Sequence, residues 1–409
     1  MQVEEKCECR SVKPDDNYCK ENGGKMDPEL KSIIDKIAKK EGFTTYNLLV
    51  KNITPDGNNY LGLLTVVTVQ DTITKKELDL FVKSIIANAE QLKLISVSEV
   101  YGIEIYFYLE LSQILEKLQA DAQIPIEERY TTVKCYKEST TEHIVMENMI
   151  KKGFYTWNRF DVISLDFAET AIKQLAKFHA LGFVLQEKRP EYFEDKIMPL
   201  RYPLKIDEEF KKFFVNMANN VLDHLDGSSK SKLEKNVTAL FEKGQKYTHN
   251  RESTLTMCHG DFRPNNILIK TIEGKITDLV PVDYQLLCHG SPLNDILYFI
   301  FGATDREFRR KHLDYLKNLY YDTMKQFLKY FDMDVQKYYP KEEYERLLKE
   351  RLEYGLFVGI WYLQGNLAQE DDIFDLSETQ IADITLSMSE LAIDRSKELI
   401  DEFIEWGYL

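Results

Sequence analysis

Glycine and proline are both scarce in this chain, 18 and 11 of 409 residues, which excludes collagen-like and Pro/Gly-driven disordered chains. Cysteine is scarce as well. The six stand at 7, 9, 19, 135, 258 and 288, three crowded near the start and three scattered, which is no disulfide framework for a chain this long. Cys7-Glu8-Cys9 lacks a second pair that would complete a structural metal site, so thiols on a mobile tail are expected. Long apolar runs are missing: the longest, Ile296 to Ala303, includes Tyr298 and Gly302 and falls far short of the ~20 residues of a membrane span. The first twenty residues are polar and charged, without the apolar stretch of a signal peptide. On that reading the Asn-x-Thr sequons at Asn52 and Asn236 are chance, and a soluble, cytoplasmic protein is expected. Basic charge is in deficit, 53 Lys+Arg against 68 Asp+Glu, a net −15. That argues against a general nucleic-acid binder, which must neutralise phosphates, but leaves room for a local basic pocket.

Apolar residues make up 44% of the chain, enough for a substantial core, and the length suggests two to three structural units. Residues 1–26 read as a disordered tail, 27–148 as a first unit and 149–409 as a second. Asp27-Pro28 opens a helix carrying Leu30, Ile33, Ile34 and Ile37 at helical spacing. Tyr46 to Ile53, Leu61 to Gln70 and Leu78 to Ile85 read as strands, with a turn at Pro55-Asp56-Gly57-Asn58-Asn59. Glu99 to Leu118 reads as a helix, and Thr131 to Tyr136 with His143 to Met149 as a further strand pair. After Asp161 long helical patterns dominate: Ser164 to Leu181, Glu208 to Leu225, Ser229 to Tyr247, Arg306 to Tyr330, Glu342 to Leu367 and Ser377 to Trp406. Two short strands, Asn266 to Lys270 and Leu279 to Val282, lie among them. The expected class is α+β: an antiparallel sheet followed by a larger helical part, with a cleft between them where small-molecule sites concentrate.

The chemistry concentrates in Cys258-His259-Gly260-Asp261-Phe262-Arg263-Pro264-Asn265-Asn266-Ile267-Leu268. An Asp followed five residues later by an Asn, running into an apolar strand, puts a carboxylate and an amide on one loop. In phosphoryl transfer such a carboxylate accepts the proton of the acceptor hydroxyl, and such an amide oxygen holds a metal ion. Seventeen residues after Asn266, Val280-Pro281-Val282-Asp283 ends an apolar strand in a carboxylate. A hairpin would return Asp283 beside Asn266, giving Mg²⁺ two oxygen ligands.

These segments resemble the protein-kinase-like phosphotransferases of small molecules, which include choline kinases and aminoglycoside phosphotransferases, and most of all the ecdysteroid kinase-like (CHK kinase-like) family. Gly290-Ser291-Pro292 with Asp295-Ile296-Leu297-Tyr298-Phe299, Phe178-His179-Ala180, Val145 to Met149, Tyr354-Gly355-Leu356 and the closing Gly407-Tyr408-Leu409 fit as well. The resemblance implies a two-lobed protein-kinase-like fold with ATP and Mg²⁺ as cofactors. It implies Asp261 as catalytic base, Asn266 and Asp283 as Mg²⁺ ligands, and His259 and Asp295 as supports of the loop. Asp295 would accept loop backbone hydrogen bonds from near a helix start.

Lys83, in the apolar stretch Leu80 to Ile85, is the expected lysine for the α/β-phosphates. A buried Lys needs a partner. Glu104 is the natural one, with Lys93 as the competing lysine and Glu99 or Glu110 as competing acids. Gly57, Asn58 and Asn59 can adopt the positive φ that turns backbone N–H groups toward phosphate, although an ordinary hairpin loop explains them nearly as well. Glu147 and Met149 match the hinge whose backbone reads adenine, and Met146 would border that pocket. Arg263 could meet the γ-phosphate or pair with a carboxylate. Tyr354, Phe357, Trp361 and Tyr362 could wall an acceptor site or simply pack in the core. A small-molecule O-kinase is therefore expected, an ecdysteroid or related steroid being the favoured acceptor and a choline-like or other small alcohol the alternative. A silent kinase-fold binding protein and a metal-dependent phosphohydrolase are the competing classes. No protein partner, nucleic acid or membrane span is expected.

Overall fold

A computed structural model describes residues 26–53, 62–85, 95–249, 254–369, 384 and 386–409. The expected tail up to residue 25, the turn with Gly57, Asn58 and Asn59, and Lys93 lie outside the described residues. Helix α1 (Pro28–Lys40) starts as its sequence dictates. The Asp27 carboxylate accepts the N–H groups of Glu29 and Leu30 at 2.8 and 3.1 Å, and Pro28 occupies the first turn, where no N–H is needed. Strands β1 (Tyr46–Ile53), β2 (Gly62–Asp71), β3 (Glu77–Ile85) and β4 (His143–Glu147) form an antiparallel sheet in that order.

Strand alternation gives this sheet two different faces. Leu80 and Val82 join Val67, Val69 and Val145 beneath Leu30, Ile33, Ile34 and Ile37 of α1 in a core of their own. Phe81 and Lys83 take the opposite face. There they meet helix α2 (Val97–Tyr106), which runs through a π-helical turn, Phe107–Leu111, into α3 (Ser112–Asp121). The stretch Thr131–Tyr136 is not the strand expected from its β-branched residues. It forms one bridge, Cys135 to Met146, and the chain turns away after Tyr136 gives its N–H to Val145.

The larger part is helical. After β5 (Tyr155–Thr156) come α4 (Leu165–Lys188), the single turn α5 (Pro190–Tyr192), α6 (Glu208–Asp223) and α7 (Gly227–His249). Four short strands follow: β6 (Thr256–Cys258), β7 (Ile267–Ile272), β8 (Lys275–Pro281) and β9 (Cys288–Gly290). β7 and β8 form the predicted hairpin, with β5 on its edge, while β6 pairs with β9. The chain closes with α8 (Pro292–Ala303), α9 (Arg306–Lys329), α10 (Val335–Tyr338), α11 (Lys341–Arg351), α12 (Glu353–Asn366) and α13 (Glu390–Glu405). The helix expected from Glu342 to Leu367 is broken at Leu352 into an amphipathic α11 and an α12 buried on nearly every side. Of the helix expected from Ser377, only the part from Glu390 is helical among the described residues. No helix among the described residues is long and apolar enough to cross a membrane.

Helices α8 and α12 are both apolar around their circumference, the pattern of a helix buried all round, and they pack directly on each other. Glycines set the spacing. A Cβ on Gly355 would stand 2.2 Å from the Phe301 ring, and one on Gly302 2.7 Å from Tyr362. Gly365, on the same α12, faces open space. Two substitutions on one helix should therefore have opposite signs. Gly365→Ala should stabilise by up to about 1 kcal/mol through helix propensity. Gly355→Ala should destabilise by about 1–3 kcal/mol through overpacking. Urea unfolding midpoints of the two variants against wild type check this.

Candidate active site

The loop after β6 is built around a left-handed residue. Gly260 has φ +81°, and a Cβ there would meet the Leu286 carbonyl oxygen at 2.1 Å, so both backbone and space require glycine. Asp295, in the first turn of α8, fixes this loop. Its Oδ2 accepts the His259 N–H at 2.7 Å and its Oδ1 the Gly260 N–H at 2.9 Å. Oδ2 also meets His179 Nε2 at 3.1 Å, and His179 Nδ1 meets the Tyr320 hydroxyl at 2.7 Å. Asp295, His179, His259 and Tyr320 are all buried. The loop-supporting role expected of Asp295 corresponds to these contacts.

His259 is equally constrained. Its Nδ1 lies 3.3 Å from the Asp261 N–H, which can only donate, and its Nε2 lies 3.1 Å from the Val282 carbonyl, which can only accept. The neutral ring with its proton on Nε2 satisfies both. Burial lowers the pKa of this imidazole, outweighing Asp295, Asp261 and Asp283, which act to raise it.

The hairpin brings the two motif segments together as the spacing predicts. Ile267 pairs with Pro281, and the Val282 N–H donates to the Asn266 carbonyl at 2.9 Å, so Asp283 follows directly beside Asn266. Asn266 Nδ2 donates to the Asp261 carbonyl at 3.0 Å and to Asp261 Oδ2 at 2.8 Å. That leaves the Asn266 amide oxygen as the atom for a cation. Asp283 has φ +68°, unusual for a residue with a side chain. The Tyr108 hydroxyl, from the π-helical turn, accepts its N–H at 3.3 Å.

Lys83 closes the constellation from the sheet. Its ammonium donates to Glu104 Oε2 at 2.7 Å, Asp283 Oδ1 at 2.7 Å and Gln285 Oε1 at 3.2 Å. Glu104 is thus the partner that sequence spacing favoured. Glu110 instead accepts from Tyr192. Burial works to lower the pKa of the Lys83 ammonium, but Asp283 and Glu104 outweigh it and hold the pKa above its usual value. Burial pushes the Glu104 carboxyl up, against the pull of Lys83.

Three residues here were given no role from the sequence: Gln285, Tyr108 and Tyr284, whose ring stacks on Phe107 with centroids 3.4 Å apart. Tyr284 and Gln285 directly follow Asp283 in the sequence, but nothing in that order shows an amide reaching Lys83. Arg263, left open between phosphate and carboxylate, has its Nε 3.2 Å from Asp261 Oδ2, without the alignment of a hydrogen bond.

Met146, Glu147 and Met149 lie where β4 ends. The Glu147 N–H donates to Lys134 and its side chain pairs with Lys152, while the Met149 carbonyl accepts from Lys152 and Phe154. Met146 is buried and pairs with Phe81 across the sheet. A cavity of about 270 Å³ opens beside Gly260. Tyr202, Tyr298 and Tyr354 line it, together with Ser291. Of the four aromatics expected to wall an acceptor site, Tyr354 lines this cavity. Phe357 stacks on Phe214 at 5.0 Å in the core, and Trp361 and Tyr362 pack against Tyr298.

The sequence profile of the ecdysteroid kinase-like family matches residues 56–333, more than half of the chain. The chain belongs to the ecdysteroid kinase-like family. It is accordingly a phosphotransferase of the small-molecule kinase type, with a hydroxyl group as acceptor. No curated protein matches it in sequence. Solved structures similar to it include an aminoglycoside phosphotransferase with GDP and kanamycin, at 13% identity over 92% of this chain and 99% of that one, TM-score 0.41. A glucosamine kinase is similar at 12% identity over 83% and 78%, TM-score 0.38. An aminoglycoside phosphotransferase from Streptomyces rimosus with ADP and streptomycin is similar at 12% identity over 82% and 98%, TM-score 0.31.

The state of His259 gives a pH test. A histidine whose folded pKa is depressed below its unfolded value of 6.5 contributes stability above that value and loses it as the pH falls and the unfolded chain takes up the proton. Thermal unfolding should therefore weaken progressively below about pH 6.5, and His259→Gln should flatten part of that slope. Melting temperatures across pH 5–8 for both proteins provide the check.

Proposed function

We propose that this family member transfers the γ-phosphoryl group of ATP, with Mg²⁺, to a hydroxyl of an ecdysteroid or related hydroxylated steroid. The observation that carries the catalytic part is the convergence of Asp261, Asn266, Asp283 and Lys83, each in hydrogen-bond contact with another of the four. The steroid preference is supported by the family alone. A cytoplasmic location belongs to the same proposal, Mg·ATP being the co-substrate.

The residues present fit a hard divalent cation. With its amide nitrogen committed to Asp261, Asn266 has an oxygen to offer. Asp283 has a second carboxylate oxygen beyond the one that Lys83 occupies, and its side chain remains one-fifth exposed. Mg²⁺ held by Asn266 and Asp283 would neutralise charge on the transferring phosphoryl group and leave its other positions to phosphates and water.

The chain's own residues supply the rest. Asp261, oriented by the Asn266 amide, accepts the proton of the attacking hydroxyl, a role worth about 10²–10⁴ in rate. Lys83, positioned by Glu104, holds the α/β-phosphates. The carbonyl of Glu147 and the N–H of Met149 read the adenine edge, and Met146 borders it. Gly57, Asn58 and Asn59 remain the proposed cover of the phosphates. The hydroxyl reaches Asp261 from the cavity lined by Tyr202, Tyr298 and Tyr354.

Asp261→Asn should lower phosphorylation by about 10²–10⁴-fold while Mg·ATP still raises the melting temperature. Mass spectrometry of an ecdysteroid, choline and an aminoglycoside incubated with ATP reads the product. Turnover at the wild-type rate would remove Asp261 as the base. Lys83→Met should weaken nucleotide binding itself, seen as a reduced thermal shift with Mg·ATP; an unchanged shift would place the phosphates elsewhere.

A further inference from the structure

At the root of the catalytic loop stands a cluster of metal-ligating side chains that phosphoryl transfer does not call on as ligands. His179 Nε2, Cys258 Sγ and a carboxylate oxygen of Asp295 all lie within 4.8 Å of one another. They come from three separate elements, α4, β6 and α8, and all three residues are buried.

The donor set selects the ion. One sulfur, one imidazole nitrogen and one carboxylate oxygen suit zinc and its relatives cobalt(II) and cadmium, whereas Mg²⁺ demands oxygen. Zinc bonds of about 2.0–2.3 Å in a tetrahedron set ligand atoms roughly 3.3–3.8 Å apart, so about 1 Å of contraction closes the widest separation here. Charge balances as well: a divalent ion with one thiolate and one carboxylate is neutral, which removes the cost of a net buried charge. The outer sphere is already in place. His179 Nδ1 meets the Tyr320 hydroxyl at 2.7 Å, the kind of second partner that ligating imidazoles keep. On ligation the Cys258 thiol loses its proton to solvent, and the imidazole carries its proton on Nδ1.

The cluster is also reachable. Cys258 and Asp295 line the cavity of about 270 Å³ beside Gly260, which offers a fourth coordination position to water. Sulfur is concentrated on that wall. Cys288 stands opposite Cys258 in the β6–β9 pair and lines the same cavity. A Cβ on Gly290 would stand 3.5 Å from the Cys288 sulfur and 3.7 Å from that of Cys258.

We propose that His179, Cys258 and Asp295 form a binding site for a zinc-class divalent ion, separate from the Asn266 and Asp283 position and coupled to the catalytic loop. The coupling runs through Asp295 Oδ2, which accepts the His259 N–H at 2.7 Å and meets His179 Nε2 at 3.1 Å. An ion drawing on that oxygen loosens its hold on His259.

Cobalt(II) is the probe. It is titrated into the full-length protein carrying Cys7→Ser, Cys9→Ser and Cys19→Ser, so that thiols near the start of the chain do not compete. The expected result is one equivalent bound, with a thiolate-to-cobalt charge-transfer band and the visible bands of a tetrahedral ion. Zn²⁺ should displace it, and excess Mg²⁺ should not. Cys258→Ala should lower the affinity by more than the roughly 10–100-fold that loss of an outer-sphere partner costs. Cys288→Ala, also at a buried position, should keep the band, and circular dichroism checks the folding of both variants. Because Asp295 organises the loop, its membership is read without substituting it: hydrogen exchange in the segment carrying His259 and Gly260 should quicken when Zn²⁺ binds. Absence of cobalt binding, a spectrum without charge transfer, displacement by Mg²⁺, a band lost in Cys288→Ala but kept in Cys258→Ala, or loop exchange that Zn²⁺ leaves unchanged would each overturn the site. None of these readouts involves phosphoryl transfer, so their failure leaves the kinase reading standing.

Discussion

One buried carboxylate organises this protein's active-site loop. Asp295, itself almost wholly buried, takes two successive backbone N–H groups and an imidazole, and each charge-assisted bond is worth more than its neutral counterpart. The conformation it holds is one the chain would not otherwise choose. Gly260 sits in the left-handed region against the Leu286 carbonyl, and His259 is turned so that its ring ties the Asp261 backbone to Val282. The hairpin then sets Asn266 against Asp261. The placement of Asp261 is thus inherited from α8 rather than from anything Asp261 does itself.

The opposite wall is organised by charge imbalance. One ammonium, Lys83, faces two carboxylates, Glu104 and Asp283, each at 2.7 Å. Lys83 and Glu104 are almost wholly buried, whereas Asp283 keeps an opening. The excess negative charge therefore falls at the open end of the group, beside the amide oxygen of Asn266. A site in that state favours a cation on its Asp283 side. A cation competing for Asp283 would leave Lys83 facing one carboxylate fewer. The same excess disfavours ionised Glu104, whose carboxyl is pushed up by its burial.

What was legible in the sequence was whatever the chain keeps local. His259 to Asn266 and Val282-Asp283 are each a few residues long and are joined by one short hairpin, so their meeting followed from strand and turn pattern. Lys83 was legible for a different reason: a lysine in an apolar strand demands an acid, and few acids lie within one helix of it. Tertiary choices were not legible. Thr131–Tyr136 has strand propensity but only a brief edge to pair with. The π-helical turn at Phe107–Leu111 carries no marker in composition, yet it positions Tyr108 to receive the Asp283 N–H. Tyr354, Phe357, Trp361 and Tyr362 share near-helical spacing but divide between cavity and core, because α12 is enclosed on all sides and each direction has a different neighbour. Arg263 could not be placed from the sequence, since its nearest charge, Asp261, lies on its own loop.

The glycine-spaced contact between α8 and α12 has a consequence beyond packing density. Asp295, which registers the catalytic loop, stands on the first of these helices, and Trp361 and Tyr362 stand on the second. With Gly302 and Gly355 seating aromatic rings in the seam, the pair behaves as one stiff girder. Side chains along the rest of α12 can then be exchanged without displacing the loop that carries Asp261, because Gly302 and Gly355 fix the seam.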